Sequence, residues 1–269
     1  MLSKIIMECC YNHQGDINIA KQMIDDAVKL GIAFVKFQKW SINDFPEQIK
    51  NQPRNDKHAF GKTYYEHRKA LELTIDQLLE LKDYTESKGL IFICSGKDLA
   101  SIKLLIQHGI DYIKLPSQRL LDKDIVDFLK PLEKDLFIFA STGMHYEDEI
   151  LKSYWYKNAD VLMHCVTDYP VKLNDCDIAF MNKLRYDGYS SHEFEGRAIK
   201  YAVISGAKYI ERHYTLDKAM KGADHIVSSD FKEIVNIIED IKEAEMIMGN
   251  GKREMGKNEL VNRKYYLGF

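Results

Sequence analysis

Several features that would point away from a small-molecule enzyme are missing from this 269-residue chain. No apolar run approaches the roughly 20 residues that a membrane-spanning helix needs. The 38 basic and 41 acidic residues leave a net charge of -3, so no basic field attracts nucleic acid. The first residues reach the charged Glu8 without the long apolar stretch of a secretion signal. We therefore expect a cytoplasmic protein without a membrane or nucleic-acid partner.

Cysteine is also scarce, and its five residues have no spacing typical of metal ligands or of a redox pair. Cys9 and Cys10 are adjacent rather than separated by two residues. An odd number of cysteines without a pairing pattern favours reduced thiols, which fits the cytoplasm.

The chain does contain a regular alternation of two patterns. Short apolar runs typical of strands occur at residues 5–9, 34–37, 90–94, 112–115, 136–140, 161–165, 188–190 and 209–211. Amphipathic stretches typical of helices occur at residues 17–30, 74–88, 99–108, 123–129, 147–155, 177–184, 198–205 and 231–248. Eight such pairs predict a (β/α)8 TIM barrel, as a single domain over residues 1–269. The alternative is a doubly wound open sheet. Residues 40–72 lack a clear strand or helix, and we expect a lid or binding loop there.

Two histidines follow the last two predicted strands. His192 comes just after the run at 188–190, and His213 just after the run at 209–211. The carboxyl ends of barrel strands meet at one mouth, where catalytic groups gather. The two imidazoles could therefore hold one divalent metal ion. The alternative is that both are hydrogen-bonded side chains of the core or rim.

Two lysines, Lys36 and Lys114, lie near the ends of apolar strands. A buried ammonium group is costly without a partner, so each lysine needs an anion. The carboxylate of Glu8 or Glu211 would give a structural ion pair, whereas a substrate phosphate or carboxylate would give a binding site. Hydroxyl groups gather at neighbouring strand ends, namely those of Ser95, Ser117, Ser141 and Ser190. They add donors without negative charge, which favours a bound anion.

Nine motifs, in order along nearly the whole chain, resemble those of the bacterial sialic acid synthases, the N-acetylneuraminate synthase family. They are Glu8-x-x-x-Asn12-His13-x-Gly15, Val35-Lys36-Phe37-Gln38, the segment 65–73, Lys114-x-x-Ser117, Ser141-Thr142-Gly143-Met144, His164-Cys165-x-x-x-Tyr169-Pro170, Gly188-Tyr189-Ser190-x-His192, Gly206-Ala207 with Ile210-Glu211-x-His213, and Asp224-His225. The resemblance implies an enzyme that condenses phosphoenolpyruvate with an aldehyde sugar. The product would be a 2-keto-3-deoxy sugar acid such as a sialic acid, with release of phosphate.

The same resemblance implies roles for individual residues. Phosphoenolpyruvate is expected to contact Lys36, Ser95, Lys114, Ser117, Ser141 and Ser190. A manganese or similar divalent ion is expected on His192 and His213. The acceptor sugar is expected to contact Glu8, Tyr169 and Asp224, and Thr167 stands where the family has an asparagine. We assign catalytic roles to Glu8, Lys36, Lys114 and Glu211, and a homodimer is expected as in the family.

The chain departs from the family on the acceptor side. Cys94-Ser95-Gly96-Lys97 stands where the family has Ser-Thr-Pro-Phe, and Pro116-Ser117-Gln118-Arg119 stands where it has Gly-Ser-Gly-Glu. The C-terminal antifreeze-like domain of the family is also lacking from this sequence. Lys97 and Arg119 add positive charge, so we predict that Arg119 binds an anionic or phosphorylated aldehyde. The alternative is that Arg119 faces solvent or pairs with Asp122.

Two competing functions stay open at this point. One is a non-catalytic barrel that binds an anionic ligand. The other is a metal-dependent pyruvate aldolase, which would release no phosphate.

Overall fold

The computed structural model describes residues 3–269 and contains eight strands in one closed, all-parallel barrel. The strands are β1 (Lys4–Glu8), β2 (Phe34–Lys39), β3 (Ile91–Gly96), β4 (Tyr112–Leu115), β5 (Phe137–Ser141), β6 (Val161–Cys165), β7 (Gly188–Ser191) and β8 (Tyr209–His213). Each strand pairs with the next in sequence, and β1 closes the barrel on β8. The predicted (β/α)8 barrel is confirmed, and the open sheet is excluded.

Helices surround the strands and cover their outer faces. They are α1 (Ile17–Leu30), α2 (Glu47–Lys50), α3 (Tyr64–Leu71), α4 (Ile75–Ser87), α5 (Leu99–Gln107), α6 (Lys123–Leu129), α7 (Glu147–Lys152), α8 (Trp155–Asn158), α9 (Ile199–Ile204), α10 (Phe231–Met248) and α11 (Lys257–Leu267). Helix α1 has the predicted bounds because its ends are well marked. The Asp16 side chain accepts a hydrogen bond from Asn18 N, and Gly31 ends the helix at φ 69°.

Two predictions about the connecting segments were wrong. The stretch predicted as a helix at 177–184 forms only a short 3-10 helix, Ile178–Asn182, which begins after Asp177 at φ 43°. The stretch at 40–72 is not a plain loop, since it contains α2 and α3. Helix α3 begins at a capping box in which Thr63 and Glu66 exchange side-chain-to-backbone hydrogen bonds.

The alternation of side chains along each strand positions the site. Outward side chains such as Met7, Val35 and Ile210 pack in a large core that includes the helices. Inward side chains near the strand starts form a separate apolar cluster of Ile6, Phe34, Ile93, Phe139, Val161 and Met163. Two residues further along the same strands, the inward positions become polar, as at Glu8, Lys36 and Ser95. The barrel interior is thus apolar at one end and charged at the other.

No helix within residues 3–269 is long and apolar enough to cross a bilayer. The five cysteines are buried free thiols.

Candidate active site

A pocket of about 300 Å³ opens at the carboxyl ends of the strands. It contains all the residues predicted for the site except Glu8 and Arg119. These are Lys36, Ser95, Lys114, Ser117, Ser141, Thr167, Tyr169, Ser190, His192, Glu211, His213 and Asp224. The register of the strands explains why these residues lie close together. Strand β1 lies between β2 and β8, and Glu8 is opposite both Lys36 and His213.

Four charged side chains, each at most 4% exposed, form one cluster, and three of them line the pocket. Lys36 Nζ lies 2.6 Å from Glu8 Oε2 and 3.4 Å from Glu211 Oε2. Lys114 Nζ lies 2.6 Å from the same Glu211 oxygen. We call these residues the ion cluster. Glu8 is fully buried and lies beneath Lys36 rather than in the pocket wall.

The ion cluster shifts the protonation equilibria of its members. Burial alone would lower the pKa of Lys36, but the carboxylates of Glu211 and Glu8 outweigh it and raise that pKa. Burial would raise the pKa of Glu211, but Lys114 and Lys36 outweigh it and lower that pKa. The carboxylate of Glu211 and the ammonium group of Lys36 are therefore charged at neutral pH. Lys36 and Lys114 share this one carboxylate.

Hydroxyl groups surround the ion cluster. Lys36 Nζ donates to Ser95 Oγ at 3.1 Å, and Ser190 Oγ donates to Glu211 Oε1 at 2.9 Å. Ser117 Oγ lies 3.2 Å from Cys165 Sγ. Lysine carries three N–H donors, so Lys114 keeps donors for an anion in addition to its bond to Glu211.

The two predicted histidines lie side by side, with ring centroids 5.6 Å apart. His192 Nδ1 lies 2.7 Å from the carbonyl oxygen of Val166, so Nδ1 donates there and Nε2 is left as a ligand atom. Burial lowers the pKa of His213 to about 4. Burial, followed by the charge of His213, lowers the pKa of His192 to about 3. Both imidazoles are therefore neutral at physiological pH, which is the form that binds metals.

The donor set around these imidazoles fits a metal that keeps open positions. His213 Nδ1 is buried and has no hydrogen-bond partner among residues 3–269. In the same range, no group of three or more His, Cys, Asp and Glu side chains is placed to hold an ion. The two histidines are thus the protein ligands on offer, and other positions would fall to water or substrate.

An aromatic ring and a carboxylate also line the pocket. The Tyr169 ring lies 4.2 Å from the His192 ring, measured between centroids. Asp224 Oδ2 accepts a hydrogen bond from Cys10 Sγ at 2.9 Å. Both side chains line the same pocket as the histidine pair.

Arg119 does not reach this pocket. Its Nε donates to the carbonyl oxygen of Lys97 at 2.8 Å, and its Nη1 lies 3.2 Å from Asp122 Oδ2. The structure thus places Arg119 in a neighbouring groove, in the ion pair that the sequence left open as the alternative. Gln118 points into the pocket in its place.

Two other cationic side chains line the pocket, Lys97 and Arg68. Lys97 was expected at the mouth, and burial lowers its pKa. Arg68 was missed by the sequence analysis. It lies on α3, within the stretch where no helix was predicted, although the segment 65–73 had been noted as a family motif.

Comparison with known proteins agrees with this fold and identifies a family. Residues 23–253 match the NeuB family. The chain is 33% identical to the N,N'-diacetyllegionaminic acid synthase of Legionella pneumophila, over 95% of this chain and 76% of that protein. It is also 33% identical to the N-acetylneuraminate-9-phosphate synthase of Homo sapiens, over 93% of this chain and 72% of that protein.

A solved structure agrees over almost the whole length. The N-acetylneuraminic acid synthetase of Leptospira borgpetersenii, in complex with citrate, superimposes with a TM-score of 0.82 at 26% identity. The match covers 98% of this chain and 91% of that one. The relatives named here are synthases of sialic and legionaminic acids. Together with the family match over residues 23–253, they show that this chain belongs to the NeuB family.

Proposed function

We propose that this protein is a sugar-acid synthase that condenses phosphoenolpyruvate with an aldehyde sugar and releases phosphate. In chemical terms it is a transferase that forms a carbon–carbon bond. The observation that carries the proposal is the pair of buried lysines, Lys36 and Lys114, which share Glu211 beneath a pocket rich in hydroxyl groups. Family membership adds the reaction class, because the relatives are synthases of acidic sugars.

Phosphoenolpyruvate suits the floor of the pocket. Its phosphate and carboxylate need cationic donors in a site that excludes water, where charge-assisted hydrogen bonds are strong. Lys36 and Lys114 supply two ammonium groups. Hydroxyl donors surround them, from Ser95, Ser117, Ser141 and Ser190. Glu211, and Glu8 beneath the pocket, hold the lysines in place before the substrate arrives.

The aldehyde suits the other half of the pocket, beside His192 and His213. These two imidazoles would hold a divalent ion, Mn²⁺ or similar, which when bound supplies Lewis acidity to the aldehyde oxygen. Val166 fixes the ring of His192 so that Nε2 is available. Asp224 and Tyr169 border this space and would orient the sugar, and Thr167 lies beside them in the wall.

The double-bond electrons of phosphoenolpyruvate form a bond from its carbon 3 to the aldehyde carbon; the aldehyde C=O opens to a hydroxyl by taking up a proton, and a cation is left at carbon 2. Water adds at carbon 2 and gives up its protons, and the bond from carbon 2 to the phosphate oxygen breaks, so that carbon 2 becomes a ketone and inorganic phosphate leaves. The lysines would stabilise the leaving phosphate electrostatically. The product is a 2-keto-3-deoxy sugar acid.

The acceptor is either a neutral hexosamine such as N-acetylmannosamine or an anionic, phosphorylated sugar. The human relative is named for a 9-phosphate product. Because three product carbons come from phosphoenolpyruvate, carbon 9 of such a product corresponds to carbon 6 of the acceptor. A cytoplasmic location and a homodimer remain predictions.

The decisive experiment measures phosphate release from phosphoenolpyruvate, with Mn²⁺ present, on addition of aldoses, N-acetylated hexosamines and their 6-phosphates. Release that requires one of these aldehydes is expected. Condensation with pyruvate and no phosphate release would instead identify a pyruvate aldolase. Binding of phosphoenolpyruvate without turnover for any acceptor would identify a non-catalytic barrel.

A further inference from the structure

A side pocket of about 200 Å³ adjoins the active-site pocket. The two share Tyr11, Arg68 and Asp224 in their walls. Its volume is several times the ~30 Å³ that one water molecule occupies in the liquid, so it can take a small polar group. It lies against Asp224, on the acceptor side of the site.

Arg68 stands between the two pockets, and it is built to bind an anion. Its guanidinium carbon lies 3.8 Å from the centroid of the Tyr11 ring and 5.0 Å from that of Trp40. The side chain is only 8% exposed, and its Nε and Nη2 atoms have no hydrogen-bond partner among residues 3–269. Stacking on aromatic faces leaves the N–H groups free in the plane of the guanidinium.

Nε and Nη2 together form one edge of the guanidinium, the edge that binds two phosphate or carboxylate oxygens in parallel. Leaving two buried donors without acceptors costs free energy in the unliganded protein. The carboxylate of Glu72 does not serve as this acceptor: its Oε1 accepts from Lys39 Nζ and Trp40 N, and its Oε2 is buried without a partner in the described chain and forms no ion pair with Arg68. The Nε and Nη2 donors of Arg68 therefore require hydrogen-bond acceptor atoms that a bound ligand supplies.

A second guanidinium faces the same side pocket. Arg54 lies in its wall, and its Nε is likewise buried without a hydrogen-bond partner in the described chain. Its Nη2 lies 3.2 Å from Asp56, an exposed carboxylate that neutralises it only in part. Two cations thus flank a small cavity that also has Asp224 in its wall, and the Nε–Nη2 edge of Arg68, unpaired within residues 3–269, offers two donors to the oxygens of an anion.

We infer that the side pocket binds the phosphate group of a phosphorylated aldehyde acceptor, with Arg68 as the anchor and Arg54 as the flanking cation. This inference rests on the proposed function, because the acceptor must already lie between Asp224 and the histidine pair. Arg68, and not Arg119, is then the arginine that binds the acceptor. The enzyme accordingly prefers the 6-phosphate of a hexosamine over the free sugar.

The test compares kcat/KM for N-acetylmannosamine 6-phosphate with that for N-acetylmannosamine, at saturating phosphoenolpyruvate. The wild-type ratio is expected to exceed one. Arg68→Met keeps an unbranched apolar stem but removes the guanidinium and its donors, and the ratio should fall at least about tenfold, as for the loss of one charge-assisted pair. Arg54→Met should lower the ratio less. Arg119→Met, a matched arginine that already has its partners, should keep the wild-type ratio.

Three results would overturn the inference. They are a wild-type preference for the neutral sugar, an unchanged ratio in Arg68→Met, and a rise in the KM for phosphoenolpyruvate that matches the effect on the phosphorylated sugar. If Arg68→Met does not fold, Arg68→Lys and Arg54→Met decide, since a ratio unchanged in both also overturns it.

Calorimetric titration of the wild type with N-acetylmannosamine 6-phosphate separates this inference from the proposed function. Absence of phosphate release with every aldehyde would reject the proposed function. Tight, Arg68-dependent binding of the sugar phosphate would still support the side pocket as a phosphate site. Equal binding of the sugar phosphate and the free sugar would reject the site.

Discussion

Replacement of Glu211 by glutamine tests whether the ion cluster is what holds the two lysines in the barrel. The substitution keeps the size of the side chain and removes one negative charge. Glu211 lies 2.6 Å from Lys114 Nζ and 3.4 Å from Lys36 Nζ. At an effective dielectric constant of about 20, these two attractions are worth about 6 and about 5 kcal/mol before any relaxation.

The net loss will be smaller than this sum, because Lys36 keeps Glu8 as a partner at 2.6 Å. Lys114 is the side chain left without an anion, and removal of one partner of a buried pair typically costs roughly 3–5 kcal/mol. We therefore expect Glu211→Gln to lower the free energy of unfolding by about that amount. Urea denaturation followed by circular dichroism measures it. Addition of Lys114→Met should recover part of the loss, since no buried charge is then left alone.

The matched control is Asp148→Asn, which breaks an exposed pair with Lys152 at 2.8 Å. Solvent screens that pair, so the urea midpoint should not move. The reasoning about the cluster fails if Glu211→Gln lowers the free energy of unfolding by less than about 1 kcal/mol. It also fails if the double variant is no more stable than Glu211→Gln alone.

Three further outcomes are expected. Lys36→Met or Lys114→Met should weaken phosphoenolpyruvate binding at least about tenfold in calorimetry, since each removes a charge-assisted donor, and unchanged affinity in both would contradict the proposed site. Protein carrying both His192→Ala and His213→Ala should lose the bound divalent ion in elemental analysis after Mn²⁺ loading and desalting, whereas wild-type occupancy in that variant would refute the metal ligands. Cys9, Cys94 and Cys176 are buried away from the pocket, and burial raises the pKa of the Cys94 thiol, so iodoacetamide at pH 8 should label these three only after unfolding. Rapid labelling of any of the three in the folded protein would contradict this packing.

The barrel and most of its site could be predicted because both depend on local patterns. An apolar run between glycines and helices marks a strand to within a few residues, as for β4 at Tyr112–Leu115. The place of Lys36 and Lys114 near the ends of such runs predicted that each has an anionic partner, because a buried ammonium group is costly alone. The meeting of eight strand ends at one mouth brought His192 and His213 together.

The sequence-based predictions failed where the direction of a side chain depends on tertiary packing rather than on the repeat of a helix or strand. In the short 3-10 helix Ser117–Arg119, neighbouring residues diverge, so Gln118 lines the pocket while Arg119 turns to Asp122. Helix α3 has only eight residues, which are too few for a clear helical period. Neither the helix nor the place of Arg68 in the pocket could therefore be predicted. Whether an arginine side chain has a hydrogen-bond partner depends on how the folded chain packs. The spacing of residues in the sequence does not show it.

The pairing of β1 with β8 has a consequence for biosynthesis. Glu8, in the first strand, lies opposite His213, in the last, and the Ser3 hydroxyl donates to the carbonyl oxygen of Ala207. During translation, the first strand leaves the ribosome long before its partner exists. Until then a growing chain offers two unpaired strand edges, which can pair with other chains. The candidate site is therefore complete only after β8 has been synthesised, and a nascent chain that stalls before β8 would have no closed barrel and no complete site.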